Sequence, residues 1–148
     1  MAFRFTLQSV LRLRESQERL ERMRLLAAVA AVVQVKEEIE ALEKESHEAK
    51  QRLRENLFAG LSGAEMHFET MCEWLRREHR KVLDAKLKEA EAKYAKQQAA
   101  FRVARQKRRI LENLHERRRA EYLREQARRE QQRLDEAFSM QLALRPPD

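Results

Sequence analysis

The chain has 148 residues, 39% of them charged and 43% apolar, with a formal net charge of +7 and only two Gly and two Pro. Ala, Glu, Lys, Leu and Arg dominate, which is the composition of a coiled coil or long helix. So few turn residues exclude a compact fold with several breaks. A two-helix coiled coil has a seam and no interior, so no catalytic centre, metal site or cofactor is expected.

Taken in order, Phe3 to Glu15 reads F-R-F-T-L-Q-S-V-L-R-L-R-E and lacks the apolar core and cleavage site of a signal peptide. Val10, Leu13, Gln17 and Leu20 recur at spacings of three and four, the mark of a coiled-coil seam. From Leu25 a seam continues through Ala28, Val32, Val35, Ile39, Leu42, Ser46, Ala49 and Leu53. The two phases differ by one residue, which predicts a local slip near Glu21 to Arg24 without ending the helix. The longest apolar run, Leu25 to Val33, falls far short of the roughly 20 residues that span a bilayer.

Asn56 to Ala64 holds both glycines, Gly60 and Gly63, around Ser62. Gly ends a helix in the left-handed region, and Ser62 with Glu65 three residues on makes a capping box for the next. The prediction is one all-α antiparallel two-helix coiled-coil hairpin with a longer second helix. Its first helix covers about 5–57, the turn 58–63, the second helix about 64–142 and the tail 143–148. Residue i then faces roughly residue 121 minus i, and the bulky 25–35 segment meets Ala90, Ala92 and Ala95.

The second helix carries two candidate stripes. One runs through Leu61, Ala64, Phe68, Met71, Leu75, Val82, Val103 and Ile110, and the other through Leu83, Leu87, Ala90, Tyr94, Phe101, Ala104 and Leu111. The first is taken as the seam, with Trp74 off it and exposed. The chain beyond about Arg117 overhangs its partner helix.

His67, Cys72 and His79 have spacings that fit no usual metal-ligand pattern on a helix. Lone Cys72 points to a reducing, cytoplasmic setting. From Arg102 to Arg133 there are 12 Lys or Arg and five Glu, so the whole net charge resides there. That stretch suits an acidic protein partner, nucleic acid or a solvated face. The Glu interleaving weakens the nucleic-acid reading. Phe68, Met71, Trp74 and Leu75, with Phe58 before the turn, form a candidate docking patch.

Phe3, Phe5, Leu7, Gln8, Val10, Leu11, Leu13, Arg14 and Glu15 together resemble the opening of the flagellar FliJ proteins. Gly60 to Met66 is similar to the hairpin turn of that family, and Leu111 to Arg117 and Arg128 to Phe138 to its C-terminal motifs. The resemblance implies a cytoplasmic, non-enzymatic stalk of the type III export apparatus, peripherally associated with the inner membrane. It also implies two partners, the hexameric export ATPase FliI and the export gate protein FlhA, with export chaperones as further candidates. Gate-binding positions of the family match Leu42, Phe68, Met71 and Leu75. Glu45 and Ala49 stand where some relatives have aromatics. The end carrying both termini would enter the ATPase ring through Phe3, Phe5, Leu7, Arg14, Arg117, Arg118, Arg119, Tyr122, Arg124, Arg128, Arg129, Leu134 and Phe138. The equivalent stalk of a virulence secretion system is the nearest alternative.

Overall fold

The structure, a computed structural model, describes residues 2–146. It is a helical hairpin of α1, Gln8–Ala59, and α2, Gly63–Ala143. α1 begins three residues later than expected and ends two later, α2 exceeds its expected bounds by one residue at each end, and the turn shrinks to residues 60–62. Gly60 has φ of +91°, a conformation L side chains rarely adopt. Ser62 Oγ accepts from the Glu65 N–H at 3.2 Å, and the Glu65 carboxylate accepts from the Ser62 N–H at 2.9 Å. The expected capping box is formed. Pro147 and Asp148, the end of the expected tail, lie outside the described residues.

The inward residues of α1 are Leu11, Arg14, Glu18, Glu21, Leu25, Ala28, Val32, Val35, Ile39, Leu42, Ser46, Ala49 and Leu53, all buried or half-buried. Their spacing alternates three and four without interruption. The slip predicted near Glu21 to Arg24 is therefore absent, and Val10, Leu13 and Leu20 are exposed. Apolar spacing misled here because the true seam is polar at that place. Glu18, 5% exposed, is ion-paired with Arg108, and Glu21 receives a hydrogen bond from Gln97.

In α2 the inward row runs Glu69, Glu73, Arg76, Arg80, Leu83, Leu87, Ala90, Tyr94, Gln97, Phe101, Ala104, Arg108, Leu111 and His115. The second of the two candidate stripes is the seam. Phe68, Met71, Leu75, Val82, Val103 and Ile110 face solvent. The reason is register: Leu83, the one fully buried large side chain among the described residues, fixes the rotation of α2 by packing with Ile39 and Leu42. Burying such a leucine contributes about 2 kcal/mol, and Val35 and Leu87 extend the cluster. Of the three alanines expected opposite the bulky segment, Ala90 is half-buried while Ala92 and Ala95 are exposed.

The helices divide into two compact units, Arg19–Arg102 and the segment through Glu18 together with the chain from Val103. In the first unit Glu43 pairs with Arg80 and Lys50 with Glu73. In the other, Phe5 packs on His115 and Thr6 accepts from Arg118. Within each unit the paired residue numbers add to within a few of the expected 121.

Candidate docking surfaces

In the Arg19–Arg102 unit, the stretch of α2 beside the turn has its amphipathicity inverted. Its inward row is Glu69, Glu73, Arg76 and Arg80, whereas Phe68, Met71, Trp74 and Leu75 point outward. Two of these inward charges, Glu73 and Arg80, are matched across the seam by Lys50 and Glu43. Glu73 accepts from both Arg76 Nε and Nη2 at 3.2 Å and from Ser46 Oγ at 3.5 Å, with Lys50 at 3.7 Å and Arg77 at 3.5 Å. Partial burial works to raise the Glu73 pKa. The Arg76 hydrogen bonds and the charges of Lys50, Arg76 and Arg77 outweigh it, holding the carboxyl below its ordinary value. Arg80 pairs with Glu43 and with Asp84, and both bonds push its pKa up.

This polar seam frees the apolar side chains for the surface. Phe68 is 67% exposed, Met71, Trp74 and Leu75 are each more than half exposed, and Phe58 before the turn is almost fully so. Trp74 also lines a cleft of about 330 Å³ with Ala49, Lys50, Leu53 and Thr70. Leu42, expected to join this surface from α1, instead lies in the core against Leu83. At that seam position it packs against Leu83 and helps to hold α2 in register. The inversion was missed in the sequence, although the Leu83 stripe counted back in steps of three and four reaches the four charged residues.

The other unit is built from aromatic packing and charge. Phe5 is buried with its ring edge-on to His115 at 4.9 Å. Phe3 meets His115 and Tyr122, each with ring centroids 5.6 Å apart. Leu7 and Arg14 are half-buried, and Arg14 donates to Gln17 at 3.0 Å. Phe3, Phe5 and Tyr122 thus tie the N-terminal segment to α2. The pairing extends to Tyr122, past the expected limit near Arg117. His115 continues the Leu111 stripe four residues on, and its aromatic partners Phe3 and Phe5 precede α1.

Arg108 joins Glu18 to Glu112. Partial burial lowers its pKa, and the two carboxylates more than reverse that, leaving it raised. Arg117, Arg118, Arg119, Arg124, Arg128 and Arg129 are exposed, with Arg129 paired to Glu125 at 3.0 Å. From residue 127 to 146 every side chain is exposed, including Leu134 and Phe138.

Among the described residues no group of His, Cys, Asp and Glu could hold a metal, and no helix is long and apolar enough to cross a membrane. The fold is that of a coiled-coil hairpin protein, with an outward apolar patch in one unit and a basic helical surface in the other. The family model for the flagellar FliJ protein matches residues 3–147. The chain belongs to the FliJ family and is a component of the flagellar export apparatus. Neither the curated proteins nor the solved structures give a significant match.

Proposed function

We propose that this FliJ-family chain is the stalk and coupling factor of the export apparatus, linking the export ATPase ring to the export gate and promoting ring assembly. The observation that carries the reading is the inverted stretch of α2, where charge is turned inward and Phe68, Met71 and Leu75 outward. An isolated hairpin gains nothing by exposing that many large apolar side chains. A partner that covers them does, and the gate protein is the partner the family implies. Trp74 and Phe58 extend the same surface.

The ATPase contact is assigned to the basic helical surface of Arg117, Arg118, Arg119, Arg124, Arg128 and Arg129, continued by Leu134 and Phe138. These cations advance around α2, so acidic loops on successive ring subunits can each find one. Distributed surface charge favours rapid, reversible engagement over a tight lock. Phe3, Phe5, Leu7 and Arg14 support that surface by holding the N-terminal segment against α2.

The test removes residues 127–148, which keeps the Phe3–Tyr122 packing intact. The truncated chain, confirmed helical, should lose a measurable part of its stimulation of ATPase hexamer formation and turnover, and charge reversal of the retained Arg117, Arg118, Arg119 and Arg124 should remove most of the rest. In the intact chain, stimulation should weaken as salt rises. Undiminished stimulation by the truncated chain would remove Arg128, Arg129, Leu134 and Phe138 from the ATPase contact, and undiminished stimulation after the charge reversal as well would remove the whole basic surface.

A further inference from the structure

A second outward apolar surface lies on α1, within the Arg19–Arg102 unit, and neither docking surface above uses it. The run Leu25 to Val33 is apolar on every side, and a helix of that kind is ordinarily buried all round. Here α2 covers one side only. Leu26, Val29 and Val33 remain 59%, 39% and 47% exposed. Their spacing of three and four makes a stripe of the sort that seats a further helix.

The residues that continue this stripe are charged, with the carboxylates confined to its C-terminal flank. Toward the N-terminus stand Arg19 and Arg22, and toward the C-terminus Glu40 and Glu43, all exposed. Lys36 lies just beyond the apolar centre. We infer that this face of α1 binds the same face of a second copy of the chain, antiparallel and about a two-fold axis. In that arrangement Val29 meets Val33 of the other copy, Leu26 lies along the Lys36 stem, Arg22 meets Glu40, and Arg19 meets Glu43. A two-fold contact uses one patch on both partners and repeats each pair twice.

The alternatives fit worse. A parallel pairing sets Arg on Arg and Glu on Glu, which is unfavourable. A partner with a uniformly charged helix would satisfy one flank and repel the other. Arg22 also stacks over Phe101 at 5.9 Å, and Glu43 already pairs with Arg80, so the flanking charges are held in place before association. The apolar centre is on the order of 300 Å² per copy, well below the ~800 Å² per partner of a stable complex. The association is therefore weak and reversible, and it depends on concentration.

Sedimentation velocity on the full chain reads this directly. The weight-average mass should climb from monomer toward dimer between about 10 and about 500 µM, the range suited to a small interface. Val29→Glu should weaken the association at least about tenfold with helicity unchanged, since Val29 is not in the seam. Glu40→Arg should weaken it similarly, and the double variant Arg22→Glu with Glu40→Arg should restore it. In a Cys72→Ala background, mixed Val29→Cys and Val33→Cys chains should form a cross-linked heterodimer on oxidation. A strictly monomeric chain at the highest concentration would overturn the inference. So would association that Val29→Glu leaves intact, or that Phe68→Glu abolishes in its place.

Discussion

Glu18 shows how a single buried charge can carry both stability and register. It is 5% exposed, and Arg108 and its bridge to Glu112 compensate it. Removing one partner of a buried pair leaves the other unmatched, whereas replacing both with apolar residues is often neutral or stabilising. Glu18→Ala should therefore cost about 2–3 kcal/mol in denaturant unfolding. Glu18→Leu combined with Arg108→Leu should recover most of that loss, and an equal loss in the double variant would contradict the account. Glu73 gives a pH-dependent counterpart. Its folded pKa is depressed, so its contribution is present above the unfolded value and is lost as pH falls through the folded one. At pH 7 Glu73→Gln should melt below wild type, and the gap should close on acidification past the ordinary carboxylate value of 4.5. Parallel melting curves at both pH values would show that the Arg76 and Lys50 contacts do not stabilise the fold.

At the scale of elements, the two glycines of the turn have opposite roles. Gly60 adopts φ of +91°, while Gly63 begins α2 with an ordinary φ, and a Cβ at either position meets nothing within 4 Å. Crowding is thus excluded and backbone conformation alone decides the sign. Gly60→Ala should destabilise by about 1–2 kcal/mol, the cost of the left-handed region for an L residue. Gly63→Ala should stabilise by about 0.4–1 kcal/mol through the reduced freedom of the unfolded chain. Thermal melts followed by circular dichroism would separate them, and two shifts of the same sign would count against the backbone argument. The rotation of α2 is an element-scale property as well. Leu83 sets it, and turning α2 to bury Phe68 and Leu75 would expose Leu83 and Leu87 and break up the Glu73 cluster.

On the scale of the whole molecule, the FliJ-family chain offers distinct surfaces that can be altered one at a time. A double variant, Phe68→Ala with Leu75→Ala, should leave the melting temperature nearly unchanged because both side chains face solvent. It should cost on the order of 2 kcal/mol or more in affinity for the gate protein, as expected for truncated anchors. Calorimetric titration with the gate's cytoplasmic domain would measure it. Wild-type affinity in the folded variant would leave the patch without that partner. The same variant should retain ATPase stimulation, since the basic helix it leaves untouched belongs to the other unit.

The residue sequence by itself determined the hairpin, the capping box at Ser62 and Glu65, and the pairing register to within a few residues. Each depends on local chemistry: two glycines in one place, a helix cap, and the alternation of three and four. It also located the charge excess and the N-terminal aromatic residues. Only the tertiary structure decided which of two parallel stripes on α2 faces inward, because both are apolar and the choice turns on what α1 presents opposite. For the same reason the inward Glu18, Glu21, Glu73 and Arg108 were not legible. A charged residue belongs in a seam only when the facing helix supplies its partner, and that partner lies some 20 to 90 residues away in the chain. Phe68, Met71 and Leu75 moved from seam to surface through that one rotation of α2, which packing of Leu83 against Ile39 and Leu42 fixes.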